Sequence, residues 1–341
     1  MTPSTMTASP PTGIRRYAAS GSIALRELLT GPERTMVPVA AFPGAIHLGD
    51  PASGRIELAV VADQAVIHPH ALVLAPRTRR WPFVGLHVGN ELVVGRRRVR
   101  WQDRDVHEVE VTRWWSPRPA LGDVDRAALT DANSSLAVLL ARRCSDLPAT
   151  EAERLDALVD ALRAEDEGAA TGAVRGLVGL GVGSTPTGDD LLAGLIAGVE
   201  LFGSALPARE VERLIPFSRG VAAQALSWSE TVTTALSAVL LRHAVRGEVC
   251  RPAGRLIVAL ARGLDRDALA EALDGLLAVG STSGRDLAFG LRAASEVLSP
   301  GDVRDAPGDA SRDTKGEASG DVPRDGTLAA TSTSPIPTGR P

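Results

Sequence analysis

The chain has 341 residues, a formal net charge of −4, 44% hydrophobic and 23% charged content. That composition excludes a disordered, collagenous or fibrous chain and reads as a soluble globular protein long enough for two domains. No run of about 18 apolar residues occurs, and residues 1–20 lack the apolar stretch of a secretory signal, so no membrane span is expected and the location expected is cytoplasmic. Cys144 and Cys250 stand far apart without a C-x-x-C partner. A disulfide framework and a cysteine zinc site are therefore not expected, and both thiols are expected to be buried. Lys315 is the only lysine, which removes Schiff-base and P-loop lysine chemistry from the folded part.

Residues 1–17 are rich in Pro, Thr and Ser, and residues 299–341 are a low-complexity mixture; both are expected to be disordered. Residues 18–120 read as a small β-rich domain, sandwich or barrel-like. Strands are expected over 35–40, 45–48, 55–61, 65–67, 71–74, 91–94, 98–101 and 106–112. Charged and apolar residues alternate from Val106 to Val111, as a half-buried strand requires, and Trp81, Trp101, Trp114 and Trp115 fall in this part. Residues 121–298 change to the helical period and read as a mainly helical domain, which makes the fold class α+β. Asp123 is expected to cap a helix running to about Cys144, and Thr150 to Glu153 to open another as a capping box. Further helices are expected over about 172–179, 188–202, 208–226, 230–246, 253–263, 267–278 and 285–298.

The densest punctuation is Gly179-Leu-Gly181-Val-Gly183-Ser184-Thr185-Pro-Thr187-Gly188-Asp189-Asp190-Leu-Leu-Ala-Gly194. Thr187 is the expected N-cap of a helix, with Asp190 reaching back to it. Gly183 and Gly188 are expected to need positive φ or close backbone approach. A second copy raises the interest of the first. Thr187-Gly-Asp-Asp190 matches Ser283-Gly284-Arg-Asp286, and each is preceded by Gly-Ser-Thr, at 183–185 and at 280–282. Two pseudo-symmetric loop-and-helix units converging on one site are therefore expected, with Thr282, Ser283, Gly284 and Asp286 as counterparts in the second loop.

Known motifs do not fit. Gly183 and Gly188 have P-loop spacing but continue into Asp-Asp, where a lysine is required. The dinucleotide fingerprint lacks its third glycine, and no Gly-x-Ser-x-Gly elbow occurs. Three readings of the loops stay open. The aspartates can be caps with glycines allowing close packing; free N–H groups at the helix starts can hold a small anion; or Asp189, Asp190 and Asp286 can hold Mg²⁺. No other metal or cofactor is expected.

Three segments together resemble a known bacterial family. They are the 179–194 run, Thr233-Thr234-x-Leu-Ser-x-x-x-Leu followed by Gly247, and Gly-x-Thr-Ser-Gly-x-Asp at 280–286. The family includes the AllH-type subunit of oxamate carbamoyltransferase, and the resemblance spans most of 17–298. It implies a subunit that works with other proteins in purine-derived nitrogen catabolism, converting oxalurate and phosphate into oxamate and carbamoyl phosphate. Other subunits and a small anionic metabolite are the implied partners. Pro186 stands where ordinary carbamoyltransferases place a phosphate-clamping arginine in a Ser-Thr-Arg-Thr loop. The isolated chain is therefore expected to be inactive, with the missing positive charge supplied by a partner. A non-catalytic sensing or assembly protein using the same loops is the alternative.

Weaker features complete the sequence. His68-Pro-His70 could put two imidazoles on one side of a strand, but surface or packing roles are expected and no third metal ligand is identified by spacing. Arg77 to Arg80 and Arg96 to Arg98 read as a solvated face or partner contact, not a nucleic-acid surface, in an acidic chain without a binding motif. Glu230 is expected to open a helix whose Thr233 and Thr234 hydroxyls bond to carbonyls or line the loop site.

Overall fold

Alternating apolar positions in the first third of the chain close into a barrel. A computed structural model describes residues 13–75, 83, 86–87, 89–103 and 105–299. Eight strands, β1 (Ile14–Ser22), β2 (Arg34–Phe42), β3 (Ala45–Gly49), β4 (Ile56–Val61), β5 (Ala71–Leu74), β6 (Leu92–Gly95), β7 (Arg98–Gln102) and β8 (Val106–Trp115), run in the spatial order β1-β5-β4-β3-β2-β6-β7-β8. Most neighbours are antiparallel, but β1 pairs in parallel with β8 and β4 with β5. Closure leaves no sheet edge.

Inward positions fill the barrel with Met36, Leu48, Leu58, Leu72, Leu92, Val94 and Val109. A short helix, α1 (Arg26–Thr30), contributes Leu29 to that core, and Leu25 before it does the same. Trp101 stacks between Phe83 at 4.3 Å and His107 at 4.7 Å. Trp81 and the Arg77 to Arg80 cluster lie outside the described residues. Arg96 and Arg97 form the turn between β6 and β7 with φ of 50° and 65°. Their N–H groups donate to Gly31 O and Leu29 O, which docks the turn on α1.

Two strand expectations are corrected. Residues 65–67 form no strand: Ala65 N–H closes a turn on Ala62 O at 3.1 Å, and Ile67 O accepts from Arg251 N–H at 3.1 Å. β1 begins at Ile14, inside the segment expected to be disordered, and its partners are the distant β5 and β8.

The remaining chain forms α2 (Arg126–Arg143), α3 (Ala149–Ala164), α4 (Glu167–Leu177), α5 (Thr187–Ala205), α6 (Ala208–Val211), α7 (Leu214–Val232), α8 (Ala235–Ala244), α9 (Arg251–Ala261), α10 (Arg266–Leu277) and α11 (Ser283–Leu298). No helix among the described residues is long and apolar enough to cross a membrane. The cap of α2 is Asp125, not Asp123, and its carboxylate accepts from Ala128 N–H at 2.9 Å. The box at Thr150 is not used either. Pro148 precedes α3, whose first turn has no side-chain cap.

Glu230 does not open a helix but lies in the last turns of α7, and the chain breaks at Thr233. The break has a local cause. Thr234 accepts from Ser237 N–H at 3.1 Å and so caps α8.

α5 is buried on nearly all sides and runs along α11. Glycines set the separation. A Cβ at Gly194 would lie 2.4 Å from Leu287 O, and one at Gly290 would lie 2.2 Å from Leu191 O. The helices meet the barrel through Leu236 and Val239 of α8 against Ile56, and Arg242 donates to Ile56 O at 2.7 Å.

Candidate functional site

The two Gly-Ser-Thr loops meet at their hydroxyls. Thr185 Oγ1 and Ser283 Oγ are 2.8 Å apart. Each loop then turns into its helix over a glycine that tolerates no side chain. A Cβ at Gly188 would lie 2.0 Å from Leu177 O, and one at Gly284 would lie 1.9 Å from Leu276 O. Gly181 and Gly183 serve by conformation, with φ of 111° and 96°.

The expected cap at Thr187 is corrected. Pro186 occupies the N-cap position of α5 and no side chain caps the first turn. Thr282, ahead of α11, makes no cap hydrogen bond either. The aspartates are drawn elsewhere because they are buried and their nearest donors lie across the loops. Asp189 accepts from Gly179 N–H at 2.8 Å and from the Thr233 hydroxyl, pinning the loop to the break between α7 and α8. The Thr234 hydroxyl donates to Ser184 O at 2.6 Å on the same side. Thr233 and Thr234 therefore brace the loop.

Asp190 and Asp286 are both buried, 2% and 0% exposed. Asp286 Oδ1 pairs with Arg285 at 2.7 Å, and Arg285 also donates to Ser145 at 3.0 Å. No basic side chain among the described residues forms an ion pair with Asp190, and its Oδ2 has no hydrogen-bond partner. Burial pushes the Asp190 carboxyl up to about 8, with hydrogen bonds from Ser283 and Thr185 opposing and the charges of Asp286 and Asp189 adding. Burial also raises Asp189 and Asp286, each held back by its own partners, Thr233 first for one and Arg285 first for the other.

Five of the N–H groups offered to an anion are taken. Those of Gly188, Asp189 and Asp190 donate to Leu180 O, Pro186 O and Pro186 O at 2.8, 3.0 and 3.2 Å. In the second loop Gly284 and Asp286 donate to Val279 O and Thr282 O, both at 3.0 Å. Among the described residues no group of three or more His, Cys, Asp or Glu is placed to hold a metal ion.

The loops border a cavity of about 400 Å³ between helices and barrel. Ser184, Thr185, Asp190 and Ser283 line it, whereas the other ten candidates are not among its lining residues. The far wall comes from the barrel, with Phe42, Ala45, His47 and His68, and from the α8–α9 corner, with Glu248 and Cys250. Residues 65–66, expected to form a strand, are part of this wall. No lysine or arginine is among the described residues lining it.

Sequence reasoning missed the histidine assembly behind that wall. His68 and His70 lie on the loop before β5, not on a strand. His70 Nε2 is 3.3 Å from His47 Nδ1, and the His70 ring stacks on His243 of α8 at 5.6 Å. His243 Nδ1 is 2.6 Å from Glu248 Oε2. Burial pushes His47 down to about 4 and His68 to about 3, and it also lowers His70 and His243, so all four are neutral at neutral pH. Cys250 is buried and its thiol is pushed up to about 11, while Cys144, expected to be buried, is only half-buried.

No solved structure matches the chain. Residues 177–295 match the family model described as oxamate carbamoyltransferase subunit AllH. That stretch holds both Gly-Ser-Thr loops, the Thr233 break and the paired helices α5 and α11, and it is over these elements that the chain is similar to the family.

Proposed function

We propose that this chain is a subunit of an oxamate-carbamoyltransferase-like complex and holds a small metabolite in the cavity between barrel and helices. One observation carries the reading. Both matched loops, whose hydroxyls touch at 2.8 Å, border the same cavity as the barrel histidines and Glu248. The loops form two units of one design, each with a glycine against a carbonyl, an entering hydroxyl and a buried aspartate in the first helical turn. Such sites, concave and mainly apolar with a few converging polar groups, are where small ligands bind.

Among the described residues, the cavity lining supplies hydrogen-bonding groups but no cation. Phosphoryl oxygens need concentrated positive charge in the transition state. A partner subunit supplies that charge, and the cavity of this chain orients the carbamoyl-bearing half of the substrate.

The test is phosphorolysis of oxalurate by the full chain alone, and by the chain co-purified with the subunits encoded beside it. Turnover is expected only in the complex. Ala65→Trp, at a partly exposed position of the cavity wall, should leave the complex assembled and lower turnover at least about tenfold, since a bulky side chain displaces the ligand from its binding volume. Full turnover by Ala65→Trp would contradict the cavity assignment. Ligand binding without turnover in any combination would favour the sensing role.

A further inference from the structure

The wall chemistry of the cavity constrains what can enter the corner where the loops meet. An anionic group there would find no described lysine or arginine and only neutral imidazoles, so its charge would be desolvated without compensation. Asp190 borders this corner, is 2% exposed and has an oxygen without a partner. The hydroxyls of Ser283 and Thr185 stand beside this carboxyl. Thr185 and Ser283 share one hydrogen bond between them, so one of the two hydroxyl protons is spent there and the other is free for Asp190. A buried acid with one oxygen left unpartnered in this way can offer its own proton as a donor.

We propose that Asp190 is a specificity-determining acid, kept neutral so that it donates to the carbonyl oxygen of an uncharged carboxamide or ureido group, and that this corner rejects the corresponding carboxylate. The inference rests on the reading of the cavity as a ligand site. Other titratable groups face the same corner or lie beside it. Asp189 and Asp286 flank Asp190 from α5 and α11, Cys250 approaches from the start of α9, and His47, His68 and Glu248 stand across the cavity. The two cavity histidines titrate near 4 and 3 and Cys250 near 11, outside the window used below, and Glu248 is shifted down.

The experiment is ligand-observed NMR on the full chain with oxamide, oxamate and oxalate, three probes of one shape with zero, one and two carboxylates, at pH 6.5 and 9.5. Oxamide and oxamate should bind at pH 6.5, and oxalate at least about tenfold more weakly. Oxamide affinity should fall roughly thirtyfold by pH 9.5, the loss of protonated acid for a group that titrates near 8. Asp190→Asn, neutral and of the same shape, should bind oxamide equally at both pH values. Oxalate binding as tightly as oxamide, or wild-type oxamide affinity that ignores pH, would overturn the inference while leaving the cavity as the site. Failure of all three probes to bind at either pH would remove the cavity as a ligand site in this chain and the inference with it.

Discussion

The loop entering α5 and the loop entering α11 carry the same Gly-Ser-Thr entry and bury an aspartate in the same helical turn, but the two carboxyls meet different surroundings. Asp286 has Arg285 beside it at 2.7 Å and is not among the residues lining the cavity. Asp190 has Asp189 in the position that Arg285 holds in the other loop, hydroxyls from both loops, and the cavity in front of it. Repetition in sequence thus fixed the backbone twice. Burial raises both carboxyls, and the neighbouring side chain then pulls them apart, arginine in one loop and aspartate in the other, since Arg285 corresponds to Asp189. A charge of opposite sign next to a buried carboxyl stabilises its ionised form, and a like charge does the reverse.

The largest effect should come from what the loops share. Gly188→Val and Gly284→Val both place a Cβ about 2 Å from a carbonyl oxygen of the preceding helix, so each should cost more than about 4 kcal/mol and abolish cooperative folding. Circular dichroism melts would show it, and a folded variant at either position would break the equivalence of the loops. The next effect separates them. Asp286→Asn leaves Arg285 half-enclosed without its partner and should cost about 3 kcal/mol. Asp190→Asn should be nearly neutral at pH 4. The Asp190 acid is raised in the fold, so its contribution is full below the ordinary aspartate range and is lost as pH rises from about 4 to about 8. The variant lacks that loss and should be more stable than wild type at pH 9. Urea denaturation of both variants at the two pH values measures the split.

The barrel side of the cavity should respond in the opposite direction. His47, His68, His70 and His243 are depressed by burial, so the unfolded chain binds protons that the native one does not once pH drops below the ordinary imidazole range. Stability should fall between pH 6.5 and 4, with the largest losses at the acid end. Denaturation curves at pH 6.5, 5 and 4 check this, and a flat profile would mean that the histidines stay solvated. The smallest effect concerns the brace. Thr233→Val removes one of two donors to the buried Asp189 and should cost about 2 kcal/mol. Hydrogen exchange at Gly179 should accelerate more than exchange in α11.

Much of the barrel was legible because strands such as Val106 to Trp115 alternate on a half-buried face, and a period of two survives without knowledge of partners. β1 was not. Its sequence Ile-Arg-Arg-Tyr-Ala-Ala-Ser-Gly-Ser is small and polar, and it is held by pairing with β5 and β8, far away in the chain. Helix ends were misplaced wherever a capping residue had a better use. The carboxyl of Asp190 was expected to cap α5 but is turned to the hydroxyls of another loop, which no local pattern announces. The pairing of the loops was visible as a repeated motif. The histidines were not visible as a group, because β3, the loop before β5, and α8 bring His47, His68, His70 and His243 together only in three dimensions.

The distinction between the two loops is tested most directly by the titration of Asp190 itself. Carboxyl ¹³C shifts of the full chain, with the resonance identified by its absence in Asp190→Asn, should show a midpoint near 8. A midpoint in the ordinary aspartate range near 4 would mean that Asp190 faces its cavity as a charged carboxylate, and would contradict the account.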